Sequence, residues 1–262
     1  MRQRATEISR IGRASLAAVA LGLLWVVAAL ASSAVAQERW AALSVIGDRM
    51  NLVYARMQTG TRTNPNYVEP VLMKDDVLDR LALNALLKAA GTSDPEILPL
   101  ALRDPRFYQA QEKLFAGEGK PLLDGLLKAV EAQKITHVLL LARARGEASF
   151  QVREGRIGIG TVEGLGFYVD RATRIERVAE RDADRGYIAP FAYYRLVLFD
   201  VARNAVVAEE RVAASTMHPL AGSGEADPWD AVSAQQKVDD LEGLLNENTG
   251  PALNRLKSRA RR

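Results

Sequence analysis

The chain has 262 residues, with 35 Lys and Arg against 32 Asp and Glu, 48% hydrophobic residues and no cysteine. Disulfides and thiolate metal sites are therefore excluded, and a hydrophobic core alone has to hold the fold. Residues 1–36 contain four arginines and one glutamate, leaving 31 of each sign in the remainder, so the apparent basicity gives no bulk electrostatic case for nucleic acid or anionic lipid.

The first 36 residues read as a cleavable signal peptide. Arg2, Arg4, Arg10 and Arg13 precede the apolar run Leu16 to Ala31, and Ala34-Val35-Ala36 places small residues where a signal peptidase cuts. The run is shorter than the roughly 20 residues of a spanning helix, so no membrane span is expected once it is removed. The expected compartment is the periplasm, with the mature chain starting at Gln37.

Trp40 to Tyr54 places two apolar runs on either side of Gly47-Asp48-Arg49 and predicts a β-hairpin. Gln58 to Pro70 is polar, with Gly, Pro and Asn, and predicts a surface loop. After Asp75-Asp76 the apolar positions Leu78, Leu81, Ala82, Ala85, Leu86 and Ala89 recur at helical spacing up to Gly91. Asp94 to Gly119 is broken by Pro95, Pro99 and Pro105 and predicts one or two short helices, the better one from Pro105 to Phe115.

Leu123, Leu126, Leu127 and Val130 predict a helix running into the apolar strand Val138 to Ala142, which belongs in the centre of a sheet. Beyond it, Ser149 to Arg156, Gly164 to Val169, Ala189 to Val201 and Val206 to Ala214 have strand character, the last two pairing as a hairpin about Ala202 to Ala205. The charged stretch Arg171 to Gly186 is expected to be a surface loop. Asp227-Pro228 predicts the start of a helix, with Ala234, Val238, Leu241 and Leu245 as its stripe, and Gly250-Pro251 predicts its break. A last short helix carries Leu253 and Leu256, and the cations Arg255, Lys257, Arg259, Arg261 and Arg262 form its solvated basic end.

The expected architecture is α+β: a mixed, largely antiparallel sheet with packed helices, in one domain after the leader. Its parts are the signal peptide (1–36), the core (37–221) and a C-terminal helical segment with a basic tail (222–262).

Motifs of chemistry are incomplete. Gly160, Gly164 and Gly166 match the spacing of a dinucleotide loop but precede the strand-like FYVD instead of a helix, so they are assigned, with Gly155 and Gly158, to bulges and tight turns in a curved sheet. VIGDR at 45–49 resembles the opening block of the GDSL esterases and lipases. That resemblance implies a serine nucleophile where Arg49 stands, and a late Asp-x-x-His where the chain reads Ser215-Thr216-Met217-His218. His137 and His218 are isolated, and Asp182 to Gly186 lacks the ligands that would complete a calcium loop. No catalytic residue, cofactor or metal is assigned.

The expected binding surface is aromatic: Phe167, Tyr168, Tyr187, Phe191, Tyr193 and Tyr194, beside Arg171, Arg174 and Arg177, would line a groove for a peptide, glycan or partner strand. The blocks ALSVIGD (42–48) and GTVEGLGFYVD (160–170) are similar to a set of uncharacterised secreted proteins of proteobacteria, a resemblance that implies no activity or cofactor. The function expected is that of a periplasmic, non-catalytic binding or adaptor protein whose partner is an envelope protein or a glycan. The alternative is a secreted hydrolase with a non-standard carboxylate site, marked by convergent Asp or Glu in a deep pocket.

Overall fold

The run Tyr187 to Val201, YIAPFAYYRLVLFDV, is apolar and aromatic at nearly every position, which suits a strand covered on both faces. In the computed structural model, which describes residues 38–56, 65–91, 95–101, 104–111, 113–114, 119–152, 155–175, 184–219 and 227–261, it lies within the longest strand, β10 (Asp184–Asp200). Glu38–Arg262 forms one compact unit.

Two strands share one edge of β10, end to end. Its first half pairs antiparallel with β9 (Thr161–Ile175), and its second half with β5 (His137–Arg143). The opposite edge pairs with β11 (Ala205–Ser215) and the short β12 (His218–Pro219). Pro190 is tolerated inside β10 because its nitrogen faces the gap between β11 and β12, where Thr216 N–H donates to the Pro190 carbonyl at 3.2 Å.

Outward from β5 lie β1 (Arg39–Ser44) and β4 (Glu96–Leu100), in parallel. Outward from β9 lie β2 (Arg49–Tyr54), in parallel, and β3 (Tyr67–Leu72). The fold is therefore α+β with a large mixed sheet. Short strands β6 (Arg145–Glu147), β7 (Phe150–Val152) and β8 (Gly155–Ile157) fold over one end. Helices α1 (Val77–Ala90) and α4 (Ala234–Ala260) cover one face, packing with Leu139, Tyr194, Leu196 and Leu198. The other face meets α2 (Pro105–Ala110) and α3 (Lys120–Glu131) through Leu140, Val197 and Phe199. The predicted hairpin of Ala189 to Val201 with Val206 to Ala214 is thus present, as is the central place of Val138 to Ala142.

Several expectations are corrected. Trp40 to Tyr54 is not a hairpin: β1 and β2 lie in different halves of the sheet. Gly47, at φ +99°, turns the chain between them, and its N–H donates to the buried Asp79 at 3.1 Å. Residues 67–70 belong to strand β3, the true hairpin partner of β2, and not to a loop; 57–64 lie outside the described residues. Glu96–Leu100 is a strand where a helix was expected, because a parallel edge beside β1 tolerates Pro99. The charged stretch after Asp170 extends β9 and β10, with 176–183 outside the described residues.

Asp227 caps a turn through a bond from Trp229 N–H at 3.0 Å, and α4 itself begins at Ser233, whose hydroxyl accepts from Gln236 N–H. Nor does Gly250-Pro251 break α4. Pro251 is exposed, so the Glu247 carbonyl it deprives of a donor is free to meet water, while Thr249, Ala252, Leu253 and Leu256 stay buried around it. Among the described residues, no helix is long and apolar enough to cross a membrane. The expected leader, residues 1–36, and residues 220–226 lie outside the described residues.

Candidate functional site: an arginine-lined cleft

The six aromatics do not form a groove. Tyr168, Tyr187, Phe191 and Tyr194 are completely buried, Phe167 is 1% exposed and Tyr193 4%. Phe167 and Tyr194 belong to the core under α1 and α4; the other four pack with Phe150 on the opposite side of β9 and β10. Aromatic strand residues here are core because both faces of the sheet are covered. Burial raises the Tyr168 and Tyr194 phenols to about 12, so both remain neutral donors. Arg171 pairs with Asp227.

The concave surface lies instead where β5 gives way to β6, opposite Tyr193. Ala144 N–H donates to the Tyr193 carbonyl at 3.0 Å, and Gly164 N–H to the Ala144 carbonyl at 3.2 Å. Gly164, at φ +70°, lies against Arg143: a Cβ there would stand 2.8 Å from the arginine's Cδ. The chain therefore presents Arg143 and Arg145 one residue apart at the carboxyl end of a parallel strand, the end of such sheets where ligands commonly sit.

Arg143, Arg145, Arg195 and Arg211 line one cavity of about 230 Å3. Arg145 and Arg211 also wall a larger one of about 740 Å3, which runs along β11 from Arg211 to Thr216 and is closed on one side by Leu244, Glu247 and Asn248 of α4. Arg143 and Arg145 wall a third, of about 350 Å3, with Arg49 and Glu163. Across the three, the lining carries six arginines (49, 143, 145, 156, 195, 211) and three glutamates (147, 163, 247). Tyr193 is the one aromatic of the predicted six that lines any of them.

These arginines are held from below. Arg195 donates to the Gln111 carbonyl at 2.8 Å, Gln111 Oε1 accepts from Arg143 N–H at 2.8 Å, and Arg143 Nη2 donates to the Tyr108 carbonyl at 3.3 Å. Glu209 partly balances the charge, 3.7 Å from Arg195 and 3.2 Å from Arg211. Burial, with help from Arg49, pulls Arg143 below the ordinary arginine range, while Glu163, Asp48 and Asp79 pull it back. Arg143 Nε and Arg195 Nε are buried with no hydrogen-bond partner among the described residues. A buried donor left unmade costs about 1–3 kcal/mol, a cost borne by the packing that sets these two side chains in the cavity wall.

Below the cleft, Asp79 accepts from the Ser44 hydroxyl at 2.6 Å and from Gly47 N–H, with the Tyr108 hydroxyl bonded to the same carboxylate. The Gly47-Asp48 block thus anchors a buried carboxylate rather than a nucleophile. His218, isolated in sequence and preceded by Ser215 where the GDSL block has aspartate, does meet a carboxylate: its Nε2 lies 2.8 Å from Asp240 of α4. The partner is 22 residues downstream, where no local motif could show it. His137 is half-buried beside Thr136 and Trp40. Among the described residues, no group of three or more His, Asp or Glu is placed to hold a metal ion.

No family model matches the chain, and no curated protein matches it. Among solved structures, a Xanthomonas campestris protein of the DUF330 family is similar over 86% of each chain, at 8% identity and a TM-score of 0.40. A hypothetical protein from Chlamydia trachomatis is similar over 86% of this chain and 98% of its own, at 13% identity and a TM-score of 0.35. The PelC dodecamer of Paraburkholderia phytofirmans is similar over 82% of this chain and 86% of its own, at 11% identity and a TM-score of 0.26.

Proposed function

We propose that this chain is an exported, periplasmic protein that works by binding, as an envelope adaptor, and that the arginine cleft receives an acidic group of an envelope protein or glycan. The observation that carries the reading is the convergence of Arg143, Arg145, Arg195 and Arg211 on one cavity. Guanidinium groups match carboxylates and phosphates in two-pronged geometry, and a partly desolvated cluster holds an anion more strongly than a surface charge does. Export is supported by the basic start, apolar run and Ala-Val-Ala site of residues 1–36.

The test is a titration of the purified protein with oligogalacturonate and with a Glu-rich peptide, at low and at physiological salt. Arg145→Ala combined with Arg211→Ala is expected to weaken binding at least about tenfold and to flatten its salt dependence. If neither probe binds at low salt, the cleft is overturned as the site. Determining the amino terminus of the cellular protein checks the compartment: an intact leader in a cytoplasmic fraction would overturn it.

A further inference from the structure

We propose that the free edge of β11 takes up an extended, acidic segment of a partner protein as an added strand. This rests on the cleft being the binding surface and adds the form of the ligand.

The hydrogen-bond parity of β11 is set by Thr216 N–H, which bonds the Pro190 carbonyl opposite it. In an antiparallel ladder, inward-bonding and outward-pointing residues alternate. The residues of β11 paired with Tyr193 and Arg195, namely Ala213 and Arg211, therefore point their N–H and C=O away from β10, and so does Ser215. Two further bonds agree. Ala144 N–H reaches the Tyr193 carbonyl on the far side of β10, and Arg259 Nη1 reaches the outward Glu209 carbonyl at 2.7 Å. From Arg211 to Ser215 the edge is open among the described residues, and it forms the floor of the 740 Å3 cavity.

The other two edges of the sheet are blunted. Met73 N–H bonds the Asp48 carbonyl, which by the same parity turns the nitrogen of Pro70 to the outside of β3, where it removes a donor. Pro99 is the fourth of the five residues of β4, which leaves that short edge one donor fewer. β11 has no proline. A helix also walls its groove, and Arg145, Arg156 and Arg211 outnumber Glu147 and Glu247 there. Outward groups repeating every second residue, about 6.8 Å, match the backbone of a peptide strand and give an affinity that arginines beside it make selective for acidic side chains.

The probe is an end-blocked octapeptide alternating Glu and Val, compared with two versions N-methylated at one or the other set of alternate positions. Strand addition predicts that one N-methylated set loses binding at least about tenfold while the other keeps it, because only one set faces the edge. It also predicts that exchange of the Arg211, Ala213 and Ser215 amides slows in the complex. Ala213→Pro removes an outward donor only, so it should weaken the octapeptide at least about tenfold more than it weakens oligogalacturonate. Should that variant fail to fold, the N-methyl comparison on the unaltered protein decides alone. Equal binding of all three peptides without slowed exchange overturns strand addition and leaves the acidic-ligand reading standing. Binding of oligogalacturonate without any peptide overturns strand addition in the same way, and binding of no probe overturns both.

Discussion

Arg255 Nε stands 2.6 Å from Oε1 of Glu210, a carboxylate only 7% exposed, and Arg259 Nη1 reaches the other oxygen at 2.7 Å. The basic end of α4, expected to be a solvated terminus, thus clamps the helix to β11 on the side of the strand away from the arginine cleft. The two partners are unequal: the arginines are more than half exposed, whereas the glutamate is buried. Arg255→Met with Arg259→Met strands a buried charge and is expected to lose about 3 kcal/mol. Glu210→Gln lets both guanidinium groups hydrate and should lose about 1 kcal/mol. Urea unfolding of the two variants measures the difference, and equal losses would contradict this account.

Asp79 gives a pH dependence. Burial raises its pKa above the ordinary 3.8, against the opposing bonds from Ser44, Gly47 and Tyr108. A carboxyl with a raised folded pKa favours the folded state fully below its unfolded pKa, and that contribution is lost as pH rises through the folded value. Asp79→Asn keeps an acceptor for Ser44 and Gly47 and has nothing to ionise. From about pH 4 to about pH 8 its stability should decline less than that of the parent, by about 1.4 kcal/mol for each unit of the shift. Unfolding midpoints measured across that range decide it, and parallel profiles would refute the assignment.

The glycines separate into two kinds. A Cβ at Gly166 would stand 1.9 Å from the Asn51 carbonyl, so Gly166→Ala has to push β2 from β9 and is expected to cost about 3 kcal/mol or more. Gly125 in α3 and Gly243 in α4 have nothing within 4 Å of such an atom, and alanine at each should add about 0.5–1 kcal/mol. Thermal unfolding of the three variants tests both directions.

What the chain reveals of itself follows from the range of the forces involved. α1, α3, β5 and the β10–β11 hairpin are legible because local periodicity and burial agree in them. β1 and β2 misled because two apolar runs around Gly47-Asp48 look alike whether they pair with each other or with strands 100 residues away. The aromatic set misled because the same residues serve a core and a groove, and only coverage by α1, α4 and the β7–β8 hairpin decides between them. The arginines of the cleft come from β5, β6, β10 and β11, and no single sequence motif gathers the four. One signal was available: Arg143 closes the apolar strand β5 and Arg145 follows it, at the carboxyl end of a strand in a parallel pair.

The final prediction concerns how α4 is seated. The Tyr194 and Thr249 hydroxyls lie 2.7 Å apart in the buried layer between β10 and the helix, next to Gly250-Pro251. Thr249→Val, nearly the same shape, leaves the Tyr194 hydroxyl buried without a partner and should cost about 2 kcal/mol. In Tyr194→Phe the threonine can turn back to a helix carbonyl, so a loss of about 1 kcal/mol is expected. The double variant should be more stable than the sum of the two losses predicts, by about 1 kcal/mol, because both unsatisfied groups go together. Leu244, Glu247 and Asn248, within a turn or so of Thr249, form the helical wall of the cleft. Thr249→Val is therefore expected also to weaken acidic-peptide binding while the arginines stay in place, and an unchanged affinity would show that the wall does not depend on this bond.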